Sequence, residues 1–119
     1  MKVFFYLKTC STCQRILNTL QLPKDVEQVD IKSNPLTEKQ LEAMRLRTDS
    51  YESLFSKRAR LYQELGLKDQ ALSEEDFKKY LLQHYTFLKR PVLIWEDNMS
   101  IGNSKKEVQK AATWIHESK

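Results

Sequence analysis

Residues 2–7, KVFFYL, run within three positions into Cys10-Ser11-Thr12-Cys13, and this junction limits the possible folds more than any other stretch. So many aromatic and β-branched side chains in a short run predict a buried strand. From Cys13 onward, apolar residues recur at Ile16, Leu17 and Leu20, the spacing of one helical face. Pro23 is expected to end that helix. "DVEQVDI" follows with Val26, Val29 and Ile31 in near alternation, a second strand. Strand, helix and strand within about thirty residues make a βαβ unit, whose two strands run parallel.

The middle of the chain is helical. In "PLTEKQLEAM", Thr37 and Gln40 have the spacing of a capping box, with Leu36 and Leu41 placed as a hydrophobic staple. "ALSEEDFKKYLLQHY" repeats the device with Ser73 and Asp76. Between them a shorter helix is predicted over residues 56–65, ending at Gly66. Strand character returns at "RPVLIWEDNMSIG", where Val92–Trp95 and Met99–Ile101 flank a polar turn, Glu96-Asp97-Asn98, as a β-hairpin. Pro91 opens that hairpin, where a strand tolerates proline. The segment from Asn103 closes as an amphipathic helix with Val108, Ala111, Ala112 and Ile115 on one face. The expected architecture is one α/β domain of order βαβ, helical insertion, ββα. Its core is residues 1–34 and 89–119, its insertion residues 35–88.

Composition excludes several classes. At 119 residues the chain can bury a core without staples. Its net charge of +4 comes from mixed basic and acidic residues with no polybasic arm, so direct nucleic-acid binding is not expected. No run approaches the length of a membrane span, and the first ten residues lack the features of a leader peptide, so a cytoplasmic protein is expected. Two glycines, Gly66 and Gly102, are too few for a phosphate-cradling loop. Trp95, Trp114 and the five tyrosines are assigned to the core rather than to base stacking.

Cys10 and Cys13 are the only cysteines. In a cytosolic chain, structural disulfides are rare, and Cys-x-x-Cys beside a βαβ unit reads as a redox motif. Cys10 falls where the helix begins, and unpaired N–H groups and the helix dipole favour a thiolate there. Cys13 lies one turn in, on the apolar face, which suits an attacking Cys10 and a resolving Cys13. Lys8 and Arg15 flank the pair. Two readings compete with this one. A zinc site would need His84 and His116, whose spacing does not match, so no metal is expected. Alternatively, both cysteines are small core residues.

Cys10-Ser11-Thr12-Cys13, "ARLYQELGL", "LLQHYTFLKRP", "FLKRPVLI" and "SIGNSKKEV" together resemble the arsenate reductase (ArsC)/Spx family of thioredoxin-fold proteins, over nearly the whole chain. The resemblance implies that Pro91 is the cis-proline beside the dithiol and that Arg90 presents its guanidinium to the Cys10 sulfur. In the reductase branch, one cysteine attacks arsenate, three arginines hold the oxyanion, and glutathione with glutaredoxin resolves the adduct. In the Spx branch, a Cys-x-x-Cys pair switches between dithiol and disulfide in a regulator that binds RNA polymerase. This chain has Cys13 where the reductase branch has serine, and it matches one of the three arginines, Arg90. Ser56 and Asn103 stand at the other two positions. One guanidinium should hold a dianion less well than three.

The expected function is therefore that of a thiol-disulfide redox protein of the arsenate reductase family type. Its substrate would be an oxyanion or a protein disulfide, and its reductant glutathione/glutaredoxin or thioredoxin, with no bound cofactor. The alternative is an Spx-like redox-sensing regulator. Lys8, Arg58 and Arg60 are candidate anion contacts, although Lys57, Arg58 and Arg60 also read as a solvated helix face with Glu64. A monomer is expected.

Overall fold

The computed structural model describes residues 1–118. In chain order its elements are β1 (Lys2–Tyr6), α1 (Ser11–Leu20), β2 (Glu27–Asp30), α2 (Glu38–Arg45), α3 (Arg60–Glu64), α4 (Glu74–Gln83), β3 (Val92–Trp95), β4 (Asn98–Ile101) and α5 (Lys105–Glu117). Short 3₁₀ turns lie at Glu52–Leu54, Leu67–Asp69 and Tyr85–Phe87. Contacts divide the chain into two units: residues up to Asn34 together with those from Arg90 onward, and Pro35–Lys89.

The first unit is a mixed four-stranded sheet in the order β2-β1-β3-β4, the thioredoxin-like α/β arrangement. β1 and β2 run parallel, with Phe5 opposite Val29 and Tyr6 opposite Asp30. β3 pairs antiparallel with β1 and with β4. The hairpin turn is tighter than expected: Asn98 pairs with Trp95, leaving Glu96 and Asp97 as the loop. Glu96 has φ 55, a conformation that two-residue turns impose and glycine usually supplies. One core cluster of this unit unites Phe4, Leu93 and Trp95 of the sheet with Ile16 and Leu20 of α1, Val26, and Ala111 and Ile115 of α5. The helical periodicity of Ile16 and Leu20 thus places α1 on the sheet and aims its N-terminus beyond the end of β1.

α1 ends at Gln21, whose φ of 52 turns the chain left-handed two residues before Pro23. The terminator is therefore Gln21, not Pro23; the Gln21 side-chain amide donates to the Asn18 carbonyl at 2.7 Å.

In the second unit both capping boxes form. Thr37 Oγ1 accepts from Gln40 N–H at 3.1 Å while Gln40 Oε1 accepts from Thr37 N–H at 3.0 Å. Ser73 and Asp76 do the same at 3.2 and 2.9 Å. Phe55 centres an aromatic cluster, stacked on Phe87 at 4.9 Å and edge-on to Tyr62 and Phe77. The helix predicted over 56–65 is only α3. Phe55 is extended and bridges Leu88, and Ser56 N–H donates to the Phe87 carbonyl at 2.7 Å. Residues 57–58 then form a turn, and the helix begins only at Arg60. Trp95 and Tyr62 are buried, and Tyr6 and Trp114 pack partly buried against the core cluster of the first unit, as their assignment to the core expects. Tyr80 lies edge-on to the buried Phe87, whereas Tyr51 and Tyr85 are only half-buried. Among the described residues, no helix is long and apolar enough to cross a membrane.

Candidate functional site

β1 ends at Tyr6, and a turn through Lys8 and Thr9 delivers Cys10 to the N-cap of α1. Cys10 N–H donates to the Leu7 carbonyl and Gln14 N–H to the Cys10 carbonyl, each at 3.0 Å. These bonds place the Cys10 backbone at the helix N-terminus, where backbone amides lack helical partners. Cys13 sits one turn later on the buried face with 0% exposure. Both cysteines are free thiols and lie 3.7 Å apart.

The two thiols are polarised in opposite directions. Burial alone would raise the Cys10 pKa. Hydrogen bonds from the Cys13 N–H, the Cys13 thiol and the Thr12 N–H, with the Arg90 charge, outweigh it and hold Cys10 below its ordinary 9.0. Burial pushes Cys13 up to about 11, helped by its donation to Cys10 and by the nearby Cys10 charge; a backbone hydrogen bond from Leu7 and the Arg90 charge only partly oppose this. One sulfur is thus favoured as an anion and the other as a protonated donor to it.

The Arg90–Pro91 peptide is cis. Pro91 is buried, and its carbonyl accepts from Gly102 N–H at 2.8 Å, tying the start of β3 to the turn before α5. Arg90, half-buried, acts electrostatically on both sulfurs. Cys10, Cys13 and Arg90 therefore come together within one unit, with Pro91 following Arg90 in the chain. Lys8 is exposed in the turn preceding Cys10. Arg58 and Arg60 belong to the other unit, where both are exposed. Arg58 lies in a turn before α3, beside Lys57, which pairs with Glu52 at 2.6 Å. All three basic residues are solvated as expected, but Lys57 and Arg60 share no helix face, because α3 begins only at Arg60. Ser56 is half-buried in the Phe55–Leu88 bridge region, and Asn103 is exposed before the Ser104 cap of α5. His84 and His116 are both exposed, and among the described residues no group of three metal-ligating side chains occurs.

Two residues at the site escaped the sequence reading. Asp30, the last residue of β2, accepts from Lys8 N–H on Oδ1 at 3.2 Å. Desolvation works against its charge, but hydrogen bonds from Lys8 N–H, Ser33 Oγ and Lys32 N–H, with the Lys8 charge, hold its carboxyl below the usual range. Gln14 Nε2 donates to the Lys8 carbonyl at 2.9 Å. Only the parallel register, which sets Asp30 beside Tyr6, could have signalled Asp30.

A model of the ArsC family matches residues 5–111. The global transcriptional regulator Spx 2 of Bacillus anthracis is 27% identical over 112 residues, covering 92% of this chain and 86% of its own. The global transcriptional regulator Spx of Bacillus subtilis (strain 168) is 23% identical over 114 residues, covering 92% and 86%. Among solved structures, a possible arsenate reductase from Streptococcus mutans is 28% identical, with a TM-score of 0.64, covering 92% of this chain and 98% of that one. The arsenate reductase from Vibrio cholerae, at 17% identity, shares the fold with a TM-score of 0.76, covering 92% and 96%.

Proposed function

The chain belongs to the ArsC family, and from that premise we propose that it is a thiol-disulfide redox protein in which Cys10 attacks and Cys13 resolves. The observation that carries this reading is the opposed polarisation of the two thiols: Cys10 held below its ordinary pKa at the start of α1, and Cys13 buried beside it and pushed up to about 11.

The chemistry balances with a disulfide substrate. The Cys10 thiolate attacks one substrate sulfur, a mixed disulfide forms, and the other substrate sulfur leaves as a thiolate. Cys13 then loses its proton and attacks the Cys10 sulfur, which closes the Cys10–Cys13 bond and expels the second substrate thiol. Two electrons pass from the protein to the substrate. Glutathione with glutaredoxin, or thioredoxin, would return them. Arg90 favours the thiolate before attack and would neutralise an anionic leaving group. Pro91 supports the segment carrying Arg90, and Lys8 adds positive charge at the mouth of the site. Arsenate would use the same thiol, but Arg90 is the one guanidinium at the three family positions, with Ser56 and Asn103 at the others. We therefore rank disulfide exchange above oxyanion reduction. The setting we propose is the cytoplasm, where such a pair is kept cycling.

The names of the curated relatives favour a second reading, a redox-switched transcriptional regulator. On that reading the same disulfide controls affinity for a macromolecular partner, which the resemblance implies to be RNA polymerase.

A thiol count on anaerobically reduced protein separates the readings. Oxidised glutathione or a small protein disulfide should remove both thiols and be reduced in turn, and glutaredoxin or thioredoxin should restore them over repeated cycles. Arsenate should remove few thiols and yield little arsenite; stoichiometric arsenite would reverse our ranking. Disulfide closure by peroxide without turnover on any disulfide would favour the regulator.

A further inference from the structure

We propose that Asp30 and Gln14 are positioning residues that clamp the two backbone groups of Lys8, its N–H and its carbonyl, and so hold Cys10 at the start of α1. The proposal rests on the reading of Cys10 as the attacking sulfur. Lys8 lies beyond the last paired residue of β1 and before the first turn of α1, so its N–H and C=O belong to neither ladder nor helix. Two side chains supply partners for them. Asp30 Oδ1 accepts from Lys8 N–H at 3.2 Å and also from Lys32 N–H at 3.4 Å, while Oδ2 accepts from Ser33 Oγ at 3.0 Å. Gln14 Nε2 donates to the Lys8 carbonyl at 2.9 Å from within α1, and Gln14 N–H donates to the Cys10 carbonyl at 3.0 Å.

The clamp is thus anchored in the sheet and in the helix. Tyr6 accepts from Ile31 N–H at 2.9 Å, which locks the end of β2 to the end of β1 and fixes where the Asp30 carboxylate stands. Gln14 follows Cys13 in the same helical turn. With the N–H and carbonyl of Lys8 both held, Thr9 and Cys10, which join Lys8 to the first turn of α1, have little freedom. A thiolate gains from the Thr12 and Cys13 N–H groups only while it stays within reach of them, because such stabilisation falls off within the first turn. Releasing the turn lets the sulfur leave that position while the fold of β1 and α1 remains.

The expected signature separates positioning from charge. Asparagine at position 30 keeps an oxygen for the Lys8 and Lys32 N–H groups and can donate to Ser33, so it preserves the clamp without the negative charge. The experiment is the pH profile of Cys10 alkylation by iodoacetamide in the full chain, with thermal stability measured alongside. Asp30→Ala should raise the alkylation midpoint and slow alkylation at neutral pH by about threefold or more, as half a pKa unit of lost thiolate implies. Asp30→Asn should stay near the parent, and Gln14→Ala should move in the same direction as Asp30→Ala. A parent-like midpoint in Asp30→Ala overturns the proposal, and so does an Asp30→Asn variant that shifts as far as Asp30→Ala. If Asp30→Ala does not fold, Gln14→Ala decides: a raised midpoint supports the clamp, and an unchanged one overturns it. An ordinary thiol midpoint in the parent would instead remove the premise that Cys10 is the nucleophile, and the clamp with it.

Discussion

At the scale of single residues, the pair works because two cysteines three apart meet different surroundings. Cys10 keeps partial exposure and the helix-terminal amides, whereas Cys13 is sealed in the apolar face. Arg90 contributes charge to both, so Arg90→Gln should raise the Cys10 alkylation midpoint toward 9.0. Arg90→Lys should raise it less, since charge survives while the planar fork is lost. The rate loss at neutral pH should be under about tenfold, because the amides still act on the thiolate. A Cys10 midpoint unmoved in Arg90→Gln would show that the guanidinium has no influence there.

Cys13 carries a stability prediction of definite sign. Its unfolded thiol ionises near the ordinary 9.0, and its folded thiol keeps the proton to about 11. Between those values the folded state binds more protons, so its contribution is fully present below pH 9 and is lost as pH rises toward 11. Cys10 has the opposite sign, its contribution growing as pH rises to 9. In urea denaturation, the parent should lose stability relative to Cys13→Ser across pH 9–11. A constant difference between the two across that window would contradict the burial argument for Cys13.

At the scale of elements, legibility followed locality. The boxes at Thr37 and Ser73 were readable because cap and partner lie three residues apart, and both form. Thr37→Ala and Ser73→Ala should each cost about 1 kcal/mol in chemical denaturation, and the costs should add, since the caps belong to different helices. A loss well under half of that would mean the helix starts are held by packing alone. What depended on distant pairing was not readable. Residues 56–65 have helical composition, yet Phe55 pairs with Leu88 and Ser56 N–H with the Phe87 carbonyl, thirty-one positions away. Residues 57–58 form a turn, and the helix starts only at Arg60. α1 stops at Gln21 by adopting a left-handed backbone that glutamine rarely advertises. The strands β1 and β3 announced themselves by residue type, and the parallel pairing of β1 with β2 followed from the short crossover. The same pairing brought Asp30 to Lys8, a consequence of register that no local pattern contains.

At the scale of the whole molecule, the apolar cluster over one face of the sheet lets a short helix aim its N-terminus with little slack. Phe4, fully buried at its centre, should cost about 3–5 kcal/mol when changed to alanine. If α1 loosens with it, the Cys10 midpoint should rise toward the ordinary thiol value together with the loss of stability. A destabilised Phe4→Ala protein with an unshifted midpoint would mean that the site is set by its own turn rather than by the core. The central claim, that Cys10 and Cys13 exchange electrons as a pair, is tested most directly by equilibrating the reduced protein in glutathione buffers of graded ratio and weighing it after acid quenching. The account predicts a reversible species lighter by the two thiol hydrogens, replaced in Cys13→Ser by a glutathione adduct on Cys10. A parent protein that keeps both thiols across the whole range, or gains only the adduct, would contradict it.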